Sequence, residues 1–235
     1  MKICKFNDGS WFVIMSGTSF VIDAVFSSAK VWEQLSETEC EAHTATFFLV
    51  TQGGKKHFDV SSYKYVPLDK TILIPPDFSK KVPKFLKHDI RVANPDESFE
   101  VGPLKITSLN TQTSLFDPFL IKKAQSVCYF IESETELLII SGVIDSIDKI
   151  ERKNWGKKSV AILPFGLSEG SSLLSDAVLP AKNILDTQAK LAVDFLIPFS
   201  DNKGNVVNNT ILTLTREQMC ENKIKLVETG QCMEL

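Results

Sequence analysis

The feature that most constrains the fold is a long series of short apolar segments separated by turn-forming residues. The chain opens with three of them, Lys2–Phe6, Ser10–Ser16 and Thr18–Phe26, which are rich in Val, Ile and Phe. Asn7–Gly9 and Ser16-Gly17 separate these segments, and both are typical of hairpin turns. The pattern therefore predicts antiparallel β-structure in the first part of the chain.

The same pattern continues along the chain and alternates with segments at helical spacing. The further predicted strands are Thr44–Val50, Thr71–Ile74, Ile90–Ala93, Ser98–Val101, Leu104–Leu109, Val127–Glu132, Glu136–Ser141, Ser159–Pro164, Phe195–Pro198 and Lys223–Val227. The predicted helices are Ala29–Glu39, Asp77–Lys87 with a defect at Pro83, Ser172–Ala192 with an interruption at Pro180, and Thr215–Asn222. There is no fixed-period repeat and no clear linker, so we expect one α/β domain over residues 1–235.

The composition of the chain excludes several classes of protein and of partner. With 235 residues, 43% of them hydrophobic and 23% charged, the chain is neither disordered, collagen-like nor a coiled coil. Its 26 Lys and Arg against 29 Asp and Glu give a net charge of -3, so nucleic acid is not an expected partner. No apolar run reaches about 18 residues and no signal peptide is recognisable, so we expect no membrane association. The five cysteines are widely spaced without a C-x-x-C pair, which predicts reduced thiols and a cytoplasmic location.

Two early segments align with the sequence motifs of a known family. Phe20–Asp23 occupies the place of a strand that ends in I-D-P. Phe48–Val50 then runs into Thr51–Asp59, in the frame of T-H-x-H-x-D-H followed by Phe-Asp. In this respect the chain resembles the metallo-β-lactamase fold superfamily, particularly its branch of sugar-lactone hydrolases. The identical positions are Thr51, His57, Phe58 and Asp59.

Later segments follow in the order of the same family, so the resemblance covers nearly the whole chain. They are Glu97–Ile106, Cys128–Gly142, Val160–Gly166, Phe195–Phe199 and Ile224–Gly230. The resemblance implies an αββα sandwich, with two mixed β-sheets packed face to face and helices on the outer faces. The chain length suits that architecture.

The resemblance also implies that the family's metal site is lost. The two histidines and the aspartate of the motif are Gln52, Gly54 and Lys56 here, and only His57 keeps a ligand side chain. The later ligand positions hold Asn110–Thr113, Val143, and Phe199 or, with a shift of one, Ser200. Zinc needs imidazole, thiolate or carboxylate ligands, so we expect no metal and no other cofactor.

The resulting expectation is a pseudoenzyme that acts as a binding, regulatory or assembly module, as a homo-oligomer or with an active homologue. One alternative is a binder of an anionic small molecule or nucleotide in the vacant cleft. A second alternative is a metal-dependent hydrolase with a rebuilt site. The candidate cleft residues are Gln52, Gly54, Lys56, His57, Asp59, Thr113, Asp145 and Ser200.

Several of these features also have a purely structural interpretation. Gly53–Lys56 could hold an anion through its backbone N–H groups or form a solvated loop. His57 with Asp59 could be a general-base pair, or His57 could be a packed, hydrogen-bonded histidine. Asp145 or Asp148 could replace the missing carboxylate or cap a helix.

A group of lysines could form a basic surface, although a solvated helix face is the simpler interpretation. The group comprises Lys55, Lys56, Lys64, Lys80, Lys81, Lys84 and Lys87.

Overall fold

A computed structural model describes most of the chain. The described residues are 1–6, 9–26, 41–53, 57–64, 66–95, 97–114, 123–142, 144, 150, 156–166, 179–180, 184–199 and 223–235. The predicted helices Ala29–Glu39 and Thr215–Asn222 lie outside these residues. Within the described part, no helix is long and apolar enough to cross a membrane.

The first sheet has seven strands, which are β1 (Lys2–Lys5), β2 (Trp11–Met15), β3 (Thr18–Ile22), β4 (Phe47–Leu49), β5 (Thr71–Ile74), β6 (Asp89–Val92) and β14 (Cys232–Glu234). Their order in the sheet is β14-β1-β2-β3-β4-β5-β6. The pairs from β14 to β3 are antiparallel, and those from β3 to β6 are parallel. The predicted turn between β2 and β3 is confirmed, because Ser16 and Gly17 both have positive φ, 48° and 77°, as a two-residue type I′ turn requires.

The second sheet is also mixed, and its strands are β7 (Ser98–Val101), β8 (Leu104–Ser114), β9 (Lys123–Glu132), β10 (Glu136–Ser141), β11 (Lys158–Gly166), β12 (Leu179–Pro180) and β13 (Phe195–Phe199). It contains the order β12-β11-β10-β9-β8-β7, with β13 paired to β11. Both predicted hairpins, around Gly102 and around Ser133, are confirmed as antiparallel pairs. The pairs β10-β11, β11-β12 and β11-β13 are parallel.

The two sheets enclose a central apolar core, and a further apolar cluster lies on the outer face of each sheet. Phe20 stacks on Phe47 at 4.9 Å between ring centroids, and Trp11 meets Phe199 edge-on at 5.7 Å. The short helix α1 (Val60–Tyr63) and a 3-10 helix (Pro76–Lys81) pack on the outer face of the first sheet, and α2 (Ile184–Leu191) packs on the outer face of the second. The predicted αββα sandwich is confirmed.

Three of the predicted segments differ from the structure. The helix expected over Asp77–Lys87 is only a 3-10 helix that ends at Lys81, because Pro83 lacks the N–H donor that a longer helix needs. Of the helix expected over Ser172–Ala192, the described residues contain only α2, and Pro180 belongs to strand β12. The strand expected over Lys223–Val227 is reduced to one bridge, between Ile224 and Leu196.

The prediction that all cysteines are reduced is wrong for two of them. Cys4 in β1 and Cys232 in β14 are register partners in an antiparallel pair and form a disulfide. The side chains of directly opposed residues in such a pair lie close enough for this bond. Cys128 is a free, buried thiol, and burial raises its pKa to about 12. Disulfides persist mainly in oxidising compartments, so this bond does not support the predicted cytoplasmic location. That location stays a prediction.

Candidate functional site

The ends of three strands meet at one edge of the sandwich. Asp23 follows β3, and Thr51 follows β4 by two residues, both in the first sheet. Gly142 directly follows β10 in the second sheet. Carboxyl ends of parallel strands lie at the same edge of a sheet, so the fold brings the segments after β3 and β4 together.

Asp23 has a left-handed backbone conformation, with a φ of 49°. Aspartate accepts this conformation better than most residues do. Its N–H donates to the Leu49 carbonyl at 2.8 Å, and its own carbonyl accepts from Ser10 Oγ at 2.5 Å. These bonds fix the backbone of Asp23 at the end of β3 and thereby position its carboxylate.

The carboxylate of Asp23 accepts hydrogen bonds from two neighbours in the motif segment. Thr51 donates its backbone N–H to Oδ1 at 2.7 Å and its hydroxyl to Oδ2 at 2.5 Å. Nδ1 of His57 lies 2.9 Å from Oδ2. Since a carboxylate only accepts, this contact places the proton of the imidazole on Nδ1. Asp23, Thr51 and His57 are 1%, 0% and 3% exposed.

Gly142 brings the second sheet against this cluster. A Cβ atom at Gly142 would lie 2.0 Å from Thr51 Oγ1 and 3.0 Å from His57 Nδ1 and Cε1. Only glycine permits so close an approach of the backbone. The Val127 N–H of β9 also donates to the Thr51 carbonyl at 2.8 Å. The cluster of Asp23, Thr51, His57 and Gly142, hereafter the inter-sheet cluster, therefore joins the two sheets.

Two buried tyrosines lie close enough to the inter-sheet cluster for the charge of Asp23 to affect their pKa values. Burial raises the pKa of Tyr63 and of Tyr129 well above the usual value, and the negative charge of Asp23 raises both pKa values further. Tyr129 donates its hydroxyl to the Val50 carbonyl at 2.9 Å. Both tyrosines are therefore neutral phenols over the ordinary pH range.

Asp59 is not the partner of His57. It caps α1, where its carboxylate accepts from the backbone N–H groups of Ser61 and Ser62 at 3.2 Å and from both hydroxyls. The structure thus agrees with the interpretation of His57 as a packed, hydrogen-bonded histidine, with Asp23 rather than Asp59 as its carboxylate.

Gln52 lies next to the inter-sheet cluster and forms a bridge with Ser126 of β9. Its side chain is buried, and its Oε1 has no hydrogen-bond partner within the described part of the chain. Thr113 lies in β8, paired with Ala124. The other predicted cleft residues, Gly54, Lys56, Asp145 and Ser200, lie outside the described residues.

The described residues do not fit the metal centre that the fold implies. A catalytic zinc site takes three protein ligands, and no group of three His, Cys, Asp or Glu side chains that could hold a metal ion exists among the described residues. The other two histidines have separate environments. His43 packs against Phe26 with ring centroids 4.1 Å apart, and His88 Nε2 lies 3.0 Å from the Val66 carbonyl.

Sequence reasoning missed three members of the inter-sheet cluster as site residues. Asp23, Thr51 and Gly142 each mark a strand end in the resemblance, but none was assigned to the site. A usable signal is present for Asp23, because a carboxylate directly after the apolar run Phe20–Ile22 would be buried unless it were paired. The contact of Gly142 with Thr51 depends on how the two sheets pack, which the sequence does not display.

Comparison with known proteins gives structural matches but no sequence matches. No family model matches the sequence, and a search of curated proteins gave no match. The isothiocyanate hydrolase from Delia radicum gut bacteria superposes with a TM-score of 0.77 at 16% identity, over 100% of this chain and 99% of that one. A possible metal-dependent hydrolase from Veillonella parvula gives 0.77 at 14% identity, over 100% and 99%.

A third match carries the name of the fold. The metallo-beta-lactamase fold protein YhfI from Bacillus subtilis superposes with a TM-score of 0.69 at 11% identity, over 99% of both chains. At these identities the matches establish architecture and not chemistry. Together with the two mixed sheets and their outer helices, they show that this chain has the metallo-β-lactamase fold.

Proposed function

We propose that this protein is a non-catalytic member of the metallo-β-lactamase fold that acts as a binding or assembly module. The observation that carries the proposal is the donor set at the inter-sheet cluster. Around His57, the structure supplies one carboxylate, from Asp23, and no third ligand side chain among the described residues. One imidazole and one carboxylate that bind each other are too few for a zinc site.

The pair of Asp23 and His57 has a structural role that needs no metal. In metal sites a carboxylate commonly orients a ligand imidazole through its second nitrogen. Here the same kind of pair also holds the Thr51 backbone and packs against Gly142 of the other sheet. Removing the side chain of Asp23, Thr51 or His57 would take a hydrogen bond from a buried polar atom, so the cluster stabilises the fold without a metal.

Thermal denaturation with added metal tests the proposal. We expect Zn²⁺, Mn²⁺ and Fe²⁺, each in slight excess, to change the melting temperature of chelator-treated protein by less than about 1 °C, because a ligand stabilises only a protein that binds it. A rise of several degrees with one metal would contradict the proposal. It would favour a metal-dependent hydrolase with a rebuilt site, for which Asp145 and Asp148 are the candidate carboxylates.

A second candidate function is small-molecule binding in the cleft, and Gln52 favours it. Its side chain is buried, it follows Thr51 of the inter-sheet cluster in the chain, and Oε1 is an acceptor without a donor in the described residues. A buried acceptor without a donor is costly, and a ligand that carries an N–H or O–H group would satisfy it. Replacing Gln52 with Leu should abolish ligand-dependent stabilisation if this site is used, and Gln188→Leu on α2 is the matched buried control.

A further inference from the structure

Two β-turns stand side by side at the amino ends of β5 and β6. The first, Pro67–Lys70, is closed by a bond from the Lys70 N–H to the Pro67 carbonyl at 3.1 Å. The second, Pro83–Leu86, is closed in the same way at 3.0 Å. Each turn begins with proline and precedes its strand by no more than two residues, and Thr71 of β5 pairs with Asp89 of β6. The parallel strands therefore hold the two turns next to each other.

A contact of His88 links the two segments that carry these turns. Nε2 of the buried His88 lies 3.0 Å from the carbonyl of Val66, which connects the segment before β6 with the segment before β5. Val66 and Leu86 also belong to the apolar cluster on the outer face of the first sheet. These contacts link the two turns, which together are called the platform.

This platform exposes two large apolar side chains. Leu68 is 62% exposed and Phe85 is 60% exposed, and they are the large hydrophobic residues that the described part of the chain leaves exposed. Single exposed apolar residues are common on protein surfaces, but two on adjacent turns form a local anchor. Hot spots of interfaces are typically anchors of this kind.

Three exposed lysines lie near Phe85, in space or along the chain. Lys64 Nζ lies 6.0 Å from the centroid of the Phe85 ring, and Lys84 and Lys87 are exposed on either side of Phe85 along the chain. Within the described residues, none of these three lysines has an ion-pair partner. We call Lys64, Leu68, Lys84, Phe85 and Lys87 the basic-apolar patch.

The acidic groups near the patch do not neutralise it. Asp89 is bound by Arg91 at 2.8 Å and by the Thr71 hydroxyl at 2.9 Å. Asp69 lies 4.0 Å from its neighbour Lys70. Each of these carboxylates therefore lies beside a cation that is not part of the patch.

We propose that the basic-apolar patch is a docking site for an acidic segment of another protein, with apolar side chains that cover Leu68 and Phe85. Charge complementarity identifies this occupant, because Asp or Glu beside an apolar anchor would pair with Lys64, Lys84 and Lys87. A second copy of this chain is a poor occupant. A two-fold contact would place the same lysines against each other, and like charges at an interface are costly.

The patch lies at the opposite edge of the first sheet from Asp23 and Thr51. β3 to β6 are parallel, so the amino ends of β5 and β6 face away from the carboxyl ends of β3 and β4. The inference extends the proposed function by naming a class of partner. Its test is independent of metal binding at the inter-sheet cluster, so the two proposals fail separately.

Selection from a displayed library of random peptides about 12 residues long, followed by binding measurements on a synthetic consensus peptide, tests the docking site. We expect the selected peptides to combine Asp or Glu with Leu, Phe or Trp.

The double variant Leu68→Ser and Phe85→Ser should weaken binding of the consensus peptide by at least about tenfold. The triple variant Lys64→Glu, Lys84→Glu and Lys87→Glu should also weaken binding, and added salt should then strengthen the remaining binding instead of weakening it, because salt screens the repulsion between like charges. Lys223→Glu, an exposed lysine near β13, is the matched control and should leave binding unchanged.

All of these side chains are exposed, so the variants should keep the melting temperature of the parent protein. Peptides without acidic residues, or binding that the double variant leaves intact, would overturn the proposal. Binding of the parent protein to phosphatidylcholine vesicles with about 30% phosphatidylserine, lost in the double variant, would also overturn it in favour of a membrane surface. A concentration-dependent dimer that the double variant abolishes would overturn it in favour of a second copy.

Discussion

Nδ1 of His57 lies 2.9 Å from Oδ2 of Asp23, with both side chains buried at the junction of the two sheets. The pair gives the only histidine of the motif segment a role in holding the fold together. Thr51 contributes two further hydrogen bonds to the same carboxylate. The stability of the junction therefore depends on the charge of Asp23.

Replacing Asp23 with Asn tests that dependence. Asn keeps the shape of Asp and accepts the left-handed conformation at this position. Its NH₂ group, however, is a donor and cannot accept the hydrogen bonds that Thr51 and His57 donate. We expect a loss of about 2–4 kcal/mol in the free energy of unfolding, since hydrogen bonds to a buried charge are lost. Urea denaturation measures the change. Asp89→Asn, at an exposed ion pair, is the control and should cost less than about 1 kcal/mol. Equal losses in the two variants would contradict the account.

Gly142→Ala tests the close approach of the second sheet. The added Cβ would meet Thr51 Oγ1 at 2.0 Å, and we expect a cost of about 1–3 kcal/mol. Thr51→Ala removes that oxygen, so the double variant should lose less than the sum of the two single losses by about 1 kcal/mol. For comparison, Gly156 has no atom within 4 Å of an added Cβ. Gly156→Ala combined with Thr51→Ala should be additive. Additivity in both pairs would show that Gly142 does not press on Thr51.

The cap of α1 gives a pH dependence. Burial alone would raise the pKa of Asp59, but hydrogen bonds from Ser61 and Ser62 outweigh it and hold the pKa below the ordinary value of 3.8. Because the pKa is lower in the folded state, the stabilisation is complete above the unfolded pKa and is lost as the pH falls through the folded pKa. Asp59→Ala should therefore cost about 1 kcal/mol near neutral pH, and the difference from the parent should shrink below pH 3.8.

Unfolding measured across this pH range checks the prediction for Asp59. Asp69→Ala, at a side chain 76% exposed, is the control and should change stability little at any pH. A difference between the Asp59→Ala variant and the parent that grows as the pH falls has the wrong sign for a lowered pKa.

The disulfide between Cys4 and Cys232 should stabilise the protein through the unfolded state. It joins residues 228 positions apart, and so large a loop loses much conformational entropy when it is closed. We expect reduction to lower the free energy of unfolding by about 2–5 kcal/mol. Cys232→Ser should match the reduced parent and should not respond to reductant. Recovery of Cys4 and Cys232 as separate alkylated peptides from the unreduced protein would refute the pairing.

Local sequence patterns were sufficient to predict most strands and their turns. Apolar runs bounded by Gly or Pro placed β5 and the hairpin around Gly102, since turn chemistry and side-chain alternation act over a few residues. The order of these segments, together with Thr51, His57 and Asp59, was sufficient to predict the sandwich that the structural matches confirm.

The site contacts and the disulfide that sequence reasoning missed join distant parts of the chain. The sequence offered Asp59, two residues away, as one possible partner of His57, whereas the carboxylate beside His57 is that of Asp23, which follows β3. The bond between Cys4 and Cys232 depends on the pairing of β1 with β14 at the sheet edge, and no local pattern encodes that pairing. Side-chain chemistry at a strand end is readable from sequence only when the strand order is known.

Elemental analysis of the protein, purified without a metal-binding tag, is the most direct test of the central claim that the metal centre is lost. The account predicts less than about a tenth of an equivalent of zinc, manganese or iron per chain, because a site with too few ligands does not retain metal through purification. A full equivalent or more of one transition metal would contradict the account, and it would mean that residues outside the described part complete a metal site with His57.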